Sequence, residues 1–316
     1  MEENIEKIED FENIENTEEK KKVIRHIVLS GGGTAGLSFY GLLRESNKNG
    51  LWDFKNIQSI YGTSVGSIFG VMISLGFDWD TLDDYIIKRP WHQLYKVNIQ
   101  SIFSAFQTKG LFDVKIVEET LSPLFKAKDL SIDITLRELF EFTKIDLHVF
   151  AINLGNFKDV DFSYKSHPDW RVVDAVYCSC SLPILLQPFI CDNICYSDGG
   201  FVNNYPISNC IHNGADPDEI LGICRSKITG NANNDILPQN SNLFDYISLI
   251  FLKTIEKVLN NGHEIYITHE YFIHCPPLSV TDIYNTASSM EERIRLIQVG
   301  VDTFFRTPPP LGGEDI

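Results

Sequence analysis

Ile57-Gln58-Ser59-Ile60-Tyr61-Gly62-Thr63-Ser64-Val65-Gly66-Ser67-Ile68-Phe69-Gly70 reads as an apolar run, a glycine-flanked serine and then apolar residues at helical spacing. This order predicts a strand over 57–61, a sharp turn at Ser64 and a helix over 65–75, whose Val65, Ile68, Phe69 and Met72 are expected to face the sheet as core. A serine at a strand-to-helix turn of this kind has its hydroxyl pushed outward, where a substrate carbonyl can meet it. Gly62 and Gly66 are needed because the turn is strained and neighbouring backbone passes too close for side chains. The same grammar stands just upstream. A strand over 23–30 leads into Gly31-Gly32-Gly33-Thr34-Ala35-Gly36, and a helix with Leu37, Tyr40, Leu42 and Leu43 on one side follows, closed by Gly50. A β-loop-α-β-turn-α opening predicts an α/β fold, with a central, mostly parallel sheet between two helical layers.

Further along, Asp80 is expected to cap a helix running to about 88, and Pro90-Trp91 opens an aromatic segment with Tyr95, Phe103, Phe106 and Phe112. That segment has two readings: core packing of covering helices, or a lid or apolar wall over a site. Helices are expected near 113–125 and 135–144, the second with a Thr135/Glu138 capping box. Strands are expected at 146–152, 194–196, 219–224 and 264–274, with a hairpin-like stretch through Tyr164. Further helices are expected near 170–182, 207–213, 243–260 and 289–305, and a loop at 229–242. The expected organisation is an acidic, unstructured tail over 1–22, a catalytic domain over 23–212 and an extension over 213–316 that packs on or completes the same domain.

The 316 residues carry 27 basic against 43 acidic side chains, a net charge of −16. That balance argues against nucleic-acid binding through a basic face and against long-range attraction to anionic lipid. Part of the excess is local: within residues 1–20, nine carboxylates face only Lys7 and Lys20. An acidic start provides neither the basic region nor the apolar core of a secretory signal, and no apolar run approaches the roughly 20 residues of a membrane span. The expectation is a cytoplasmic or peripheral membrane protein. Its seven cysteines are then expected to be reduced thiols. Cys178-x-Cys180 and Cys191-x3-Cys195 lack the spacing of a zinc site, so no metal and no organic cofactor are expected.

A serine hydroxyl needs a base to take its proton and preorganised donors to hold the oxyanion. Gly31, Gly32, Gly33 and Thr34 precede a helix N-terminus, where backbone N–H groups lack intrahelical acceptors. Asp198-Gly199-Gly200 follows a short strand and puts a carboxylate at its end. In an open α/β sheet, the loops carrying these three features open onto one edge.

Together, the stretches Gly31 to Gly36, Gly62 to Gly66, Cys180-Ser181-Leu182-Pro183 and Asp198-Gly199-Gly200 resemble the patatin-like phospholipase family. Gly110-Leu111-Phe112-Asp113, Asn153-Leu154 and Asn203-Asn204-Tyr205-Pro206 extend the resemblance, which covers about residues 26–211 in the family's order. It implies a Ser–Asp dyad, with Ser64 as nucleophile and Asp198 as proton acceptor. It also implies an oxyanion hole that includes the Gly32 and Gly33 amides, and fatty acyl esters of phospholipids or other lipids as substrates, with transient contact at a membrane surface. Ser30 and Ala35 depart from the family loop, which often carries Asp and Arg at those positions.

Other readings stay open on the residues themselves. A Ser-His-Asp esterase would draw on Ser64, Asp198 and one of His212, His263, His269 or His274. A lipid- or acyl-binding protein on the same fold would lack turnover. Gly31-x-Gly33-x-x-Gly36 also fits a dinucleotide fingerprint with Asp53 about 20 residues on. Asp53, however, precedes strand 57–61 instead of ending it, and Leu37 stands where a Walker loop needs lysine.

Overall fold

The computed structural model describes residues 22–97, 99–226, 265–274 and 280–307, with isolated positions between 243 and 254. The expected tail, the loop at 229–242 and most of the helix expected over 243–260 lie outside the described residues. Five strands run parallel in the order β10 (His269–Ile273), β9 (Ile220–Arg225), β1 (His26–Leu29), β2 (Ser59–Thr63) and β4 (Asp146–Asn153). Three more pair antiparallel beyond them: β5 (Lys158–Phe162) and β8 (Ile194–Asp198) on β4, and β7 (Phe189–Cys191) on β8. A separate parallel pair joins β3 (Gly110–Phe112) to β6 (Ile184–Leu186), neither of which is expected from the sequence.

The alternation of a strand with both faces covered is explicit in β1. Ile27 and Leu29 enter one core with Ile60, Val149 and Ala151, while Val28 enters a second with Tyr61 and Phe150. The first core is covered by α1 (Gly36–Lys48), α2 (Val65–Ser74), α5 (Lys115–Ala127), α7 (Val172–Cys180) and the C-terminal helix α10 (Met290–Arg306). Among the described residues, the second is covered by α8 (Ile207–His212) and by Ile267. The result is the mixed, mostly parallel α/β sheet between helical layers that the opening motifs predict.

Strands β9 and β10 extend the sheet past residue 212 on the free side of β1. Helix α10 docks on α1, where the buried Ser38 Oγ donates to the Leu296 carbonyl at 2.7 Å. At the other end of the described chain, Lys22 Nζ lies 2.8 Å from Asp216 and 2.9 Å from Asp218.

The capping box at Thr135 and Glu138 forms and starts α6 (Leu136–Thr143). The helix assigned to an Asp80 cap is capped by Asp78, whose side chain accepts from the Thr81 N–H. The short α3 (Trp79–Asp83) then passes into a π-helical turn over Asp84–Lys88. Two acids two residues apart present the same signal in sequence, and only the helix start distinguishes them. The aromatic segment divides. Tyr95 and Phe112 pack edge to face at 5.7 Å, while Phe103 and Phe106 of α4 (Ile99–Thr108) are 71% and 77% exposed.

Candidate active site

Strand β4 brings the two candidate residues together. Strand β2 pairs with Asp146 to Phe150, and β8 pairs with Ala151 to Asn153 along the same edge of β4, because β5 occupies the other edge there. Strands β2 and β8 therefore run toward each other, and their C-terminal ends meet at Phe150 and Ala151. Ser64 follows the last residue of one, and Asp198 ends the other. The common edge of an open parallel sheet expected for Asp198 is not what forms: the antiparallel course of β8 makes the meeting head to head.

Ser64 Oγ donates to Asp198 Oδ2 at 2.8 Å, and the Gly200 N–H donates to Asp198 Oδ1 at 2.7 Å. The Ser64 backbone sits at φ 53° and ψ −125°, a strained conformation for a non-glycine residue. Surrounding bonds hold it there. The Ser64 N–H donates to Ser179 Oγ at 2.8 Å, and Ser179 Oγ donates in turn to the Phe150 carbonyl at 2.5 Å. The Ser64 carbonyl accepts from both the N–H and the Oγ of Ser67. Gly66 permits the turn, because a Cβ there would lie 2.5 Å from the Leu29 carbonyl oxygen. Neither Ser179 nor Ser67 stands out in the sequence, where both look like small residues on apolar helices.

Asp198 is buried, and burial pushes its carboxyl up to about 6, against the Gly200 and Ser64 hydrogen bonds that favour the ionised form. A carboxylate held near neutrality beside a hydroxyl has the properties of a general base. The hydrogen-bond partners of Ser64 and Asp198 include no histidine among the described residues. His212 Nδ1 bonds the Ser208 carbonyl, His274 is exposed, and His263 lies outside the described residues.

The glycine loop lies beside Ser64. Gly33, at φ 58°, opens a 3-10 turn over Gly33–Ala35 that leads into α1. The N–H groups of Gly32, Gly33 and Thr34 belong to this helix start, where no preceding turn supplies acceptors. Gly31 departs from the oxyanion-donor expectation, because its N–H donates to the Asn204 carbonyl at 2.9 Å. Gly31 and Asn204 thereby tie the loop to the segment following Asp198. Among the supporting glycines, Gly36 packs against Val65 and Phe69, and Gly62 against the turn at Gly66. Gly199 lies against the Phe150 carbonyl and Gly200 against Asn204, so each leaves no room for a side chain.

A cavity of about 640 Å³ opens at Ser64 and Asp198. Much of its wall is apolar, including Ile68, Met72, Ile86, Trp91, Val117 and Leu185. The α2 stripe expected to be pure core thus doubles as a cavity wall. Among the described residues, no group of three or more His, Cys, Asp or Glu is arranged to hold a metal, and no helix is long and apolar enough to cross a membrane. Cys178 and Cys180 are free and buried, and burial raises both thiols.

Residues 27–211 match the patatin-like phospholipase family model. Over 195 residues, the chain is 31% identical to probable lipid hydrolase 463L of Invertebrate iridescent virus 6, covering 61% of this chain and 65% of that one. It is 24% identical over 211 residues to the cGAMP-activated phospholipase of Vibrio cholerae, covering 60% and 57%. The crystal structure of VipD from Legionella pneumophila superposes with a TM-score of 0.53 at 16% identity, covering 90% of this chain and 66% of VipD. The matches therefore span 57–66% of these relatives' lengths.

Proposed function

The chain belongs to the patatin-like phospholipase family, and on that premise we propose that it hydrolyses fatty acyl esters of lipids, in the manner of a phospholipase A, through a Ser64–Asp198 dyad. The observation that carries this reading is the 2.8 Å hydrogen bond from Ser64 Oγ to a buried Asp198, at the mouth of an apolar cavity.

In the acylation step, Asp198 Oδ2 takes the Ser64 proton as Oγ attacks the ester carbonyl. The resulting oxyanion is held by the Gly32 and Gly33 N–H groups, with Thr34 beside them at the helix start. Collapse of the tetrahedral adduct breaks the bond to the leaving alcohol, which receives the proton from Asp198. In deacylation, water gives its proton to Asp198 and attacks the acyl-enzyme. Ser64 leaves with that proton, and the fatty acid is released. The apolar wall of the cavity receives the acyl chain, where desolvation of its methylenes favours binding at ~0.8 kcal/mol per buried CH₂.

Access to an aggregated lipid falls to α4. The helix carries no charged side chain, exposes Phe103 and Phe106, and is flanked by the exposed Lys96 and Lys109 in an otherwise acidic protein. This combination suits shallow insertion at a lipid–water interface.

The test is fatty acid release from dioctanoyl-phosphatidylcholine by the wild type and by Ser64→Ala. Release that depends on Ser64 is expected. Undiminished release by Ser64→Ala overturns the dyad, and a folded wild type that neither turns over nor reacts with a fluorophosphonate would be a binding protein on this fold.

A further inference from the structure

The side chain of Asn204 stands beside both members of the dyad, and only one end of its amide is used. Its Nδ2 donates to the Gly31 carbonyl at 3.3 Å, while the Gly31 N–H donates to the Asn204 main-chain carbonyl at 2.9 Å. These two bonds tether the glycine loop to the segment after Asp198, and the first fixes which way the amide faces. Asn204 Oδ1 accepts no hydrogen bond among the described residues. Gly31, Ser64, Asp198, Gly200 and Asn204 all line the cavity. An unpaired amide oxygen there forfeits a hydrogen bond that a polar ligand restores.

Two residues without side chains locate that oxygen. A Cβ on Gly31 would collide with Asn204 Oδ1 and lie 3.3 Å from Ser64 Cβ, which places Oδ1 next to the nucleophile. A Cβ on Gly200 would lie 2.9 Å from Asp198 Oδ1 and 3.0 Å from Asn204 Oδ1. The two oxygens therefore flank the open face of Gly200 less than about 6 Å apart, a span that one water bridges through two hydrogen bonds.

The Gly200 N–H occupies Asp198 Oδ1, and Oδ2 accepts the Ser64 hydroxyl. Once Ser64 is acylated it has no proton to give, and Oδ2 is open to water. A carboxylate alone holds that water through one hydrogen and leaves it free to swing. A second acceptor takes the other hydrogen and fixes the direction of the lone pairs, so that the cost of orienting the nucleophile is met before it reacts.

We propose that Asn204 is a catalytic residue of deacylation, whose Oδ1 holds the hydrolytic water in front of Gly200 together with the Asp198 carboxylate. The inference rests on the hydrolase reading above and adds a group that acts only after Ser64 is acylated. The water donates one hydrogen to Asp198 Oδ2 and the other to Asn204 Oδ1. Its oxygen bonds to the acyl carbon as the first proton passes to Asp198. The tetrahedral adduct then expels Ser64 Oγ, which takes that proton. Asn204 neither gains nor loses a proton, and a neutral amide accepts the hydrogen bond without placing a second negative charge beside Asp198.

The test follows one turnover of 4-nitrophenyl butyrate by a molar excess of wild type, Asn204→Leu or Asn204→Ala. Nitrophenol release reports acylation. Decay of the butyryl-enzyme, followed by intact mass after acid quench, reports deacylation. Leucine keeps the size of the side chain without its polar atoms, and alanine leaves the main-chain bond to Gly31 in place. In both variants deacylation is expected to slow by about 10–100-fold, with acylation within about threefold of wild type, so that the butyryl-enzyme accumulates. Both half-reactions use the oxyanion hole and the base, so a residue that only tethers the loop slows both alike. Equal slowing of the two steps, or deacylation at the wild-type rate, overturns the inference and leaves the hydrolase reading intact. A folded wild type that releases no nitrophenol and forms no butyryl-enzyme sinks the hydrolase reading, and this inference with it.

Discussion

Two aspartates are buried to nearly the same degree near opposite ends of β4, and their surroundings treat them in opposite ways. Asp146, 8% exposed, begins the strand and has cations around it: His148 Nε2 at 3.3 Å and Lys165 Nζ at 2.8 Å. Burial pushes its carboxyl up, but His148 and Lys165 bring it net below the ordinary range. Asp198, 5% exposed, meets β4 at Ala151 and has only hydrogen-bond donors, so burial prevails and holds it up at about 6. The paired carboxylate stabilises the fold, whereas one left without a cation costs stability and gains basicity. That contrast separates a structural ion cluster from a candidate catalytic base more clearly than burial does.

The largest expected effect follows from exchanging each carboxylate for its amide. Asp198→Asn should lower kcat/KM on a short-chain ester on the order of a thousandfold, as Ser64→Ala should, because the serine then has no base. Asp146→Asn should leave turnover within about threefold of wild type and lower stability by about 1–3 kcal/mol, since it removes a partner from a buried charge. Comparable losses of turnover in both amides would erase the distinction. Asp198→Asn should also raise stability at pH 7 by on the order of 2–3 kcal/mol, the linkage cost of ionising a carboxyl held near 6. Chemical denaturation of the inactive variant measures this directly.

The next effect is pH dependence, which should fall in two separate windows at the two sites. A base raised to about 6 makes kcat/KM rise with pH through about 6 and level off above it. The same shift means that folding stability contributed by Asp198 is greatest at acid pH and declines as pH rises from about 4 to 6. At the other cluster, burial lowers the His148 pKa, but Asp146 and Asp161 outweigh it and raise the imidazole to about 9. The stability this provides is complete below about 6.5 and is lost as pH rises through about 9. The Tm should therefore fall between pH 7 and 9.5 with turnover chemistry unaffected by the loss, and His148→Gln should flatten that slope. A kcat/KM limb near 9 that His148→Gln abolishes would contradict the assignment.

Smaller effects should come from the supporting residues. Ser179→Ala removes the acceptor for the strained Ser64 N–H and should cost about 10-fold in kcat, with less change in KM. Phe103→Ser with Phe106→Ser should lower hydrolysis of phospholipid vesicles by about 5–10-fold and leave hydrolysis of a monomeric short-chain ester near wild type, the mark of an interfacial contact.

Much of this site is legible in one dimension. A serine between glycines after an apolar run, a glycine loop before a helix and an Asp-Gly-Gly after a short strand are local signals. Each marks a turn by residue types that stand within a few positions of one another. What could not be read depends on pairing between distant segments. The head-to-head meeting of β2 and β8 requires knowing that β5 occupies the other edge of β4. Ser179 acquires its part only when α7 lies under β4. The Gly31 amide looks like its neighbours in sequence, yet the Asn204 carbonyl, 173 positions away, removes it from the donor set. Likewise, a stripe of Val65, Ile68, Phe69 and Met72 cannot distinguish core from cavity wall, because both are apolar.

The account depends most directly on Ser64 being activated by Asp198 alone. Fluorophosphonate labelling rates for wild type, Ser64→Ala, Asp198→Asn, His148→Gln and His212→Gln test this without any choice of lipid. The predicted result is labelling of the wild type and both histidine variants, no labelling of Ser64→Ala, and labelling slowed by at least about 100-fold in Asp198→Asn. Labelling of Asp198→Asn at the wild-type rate, or its loss in either histidine variant with the fold intact, would contradict the account.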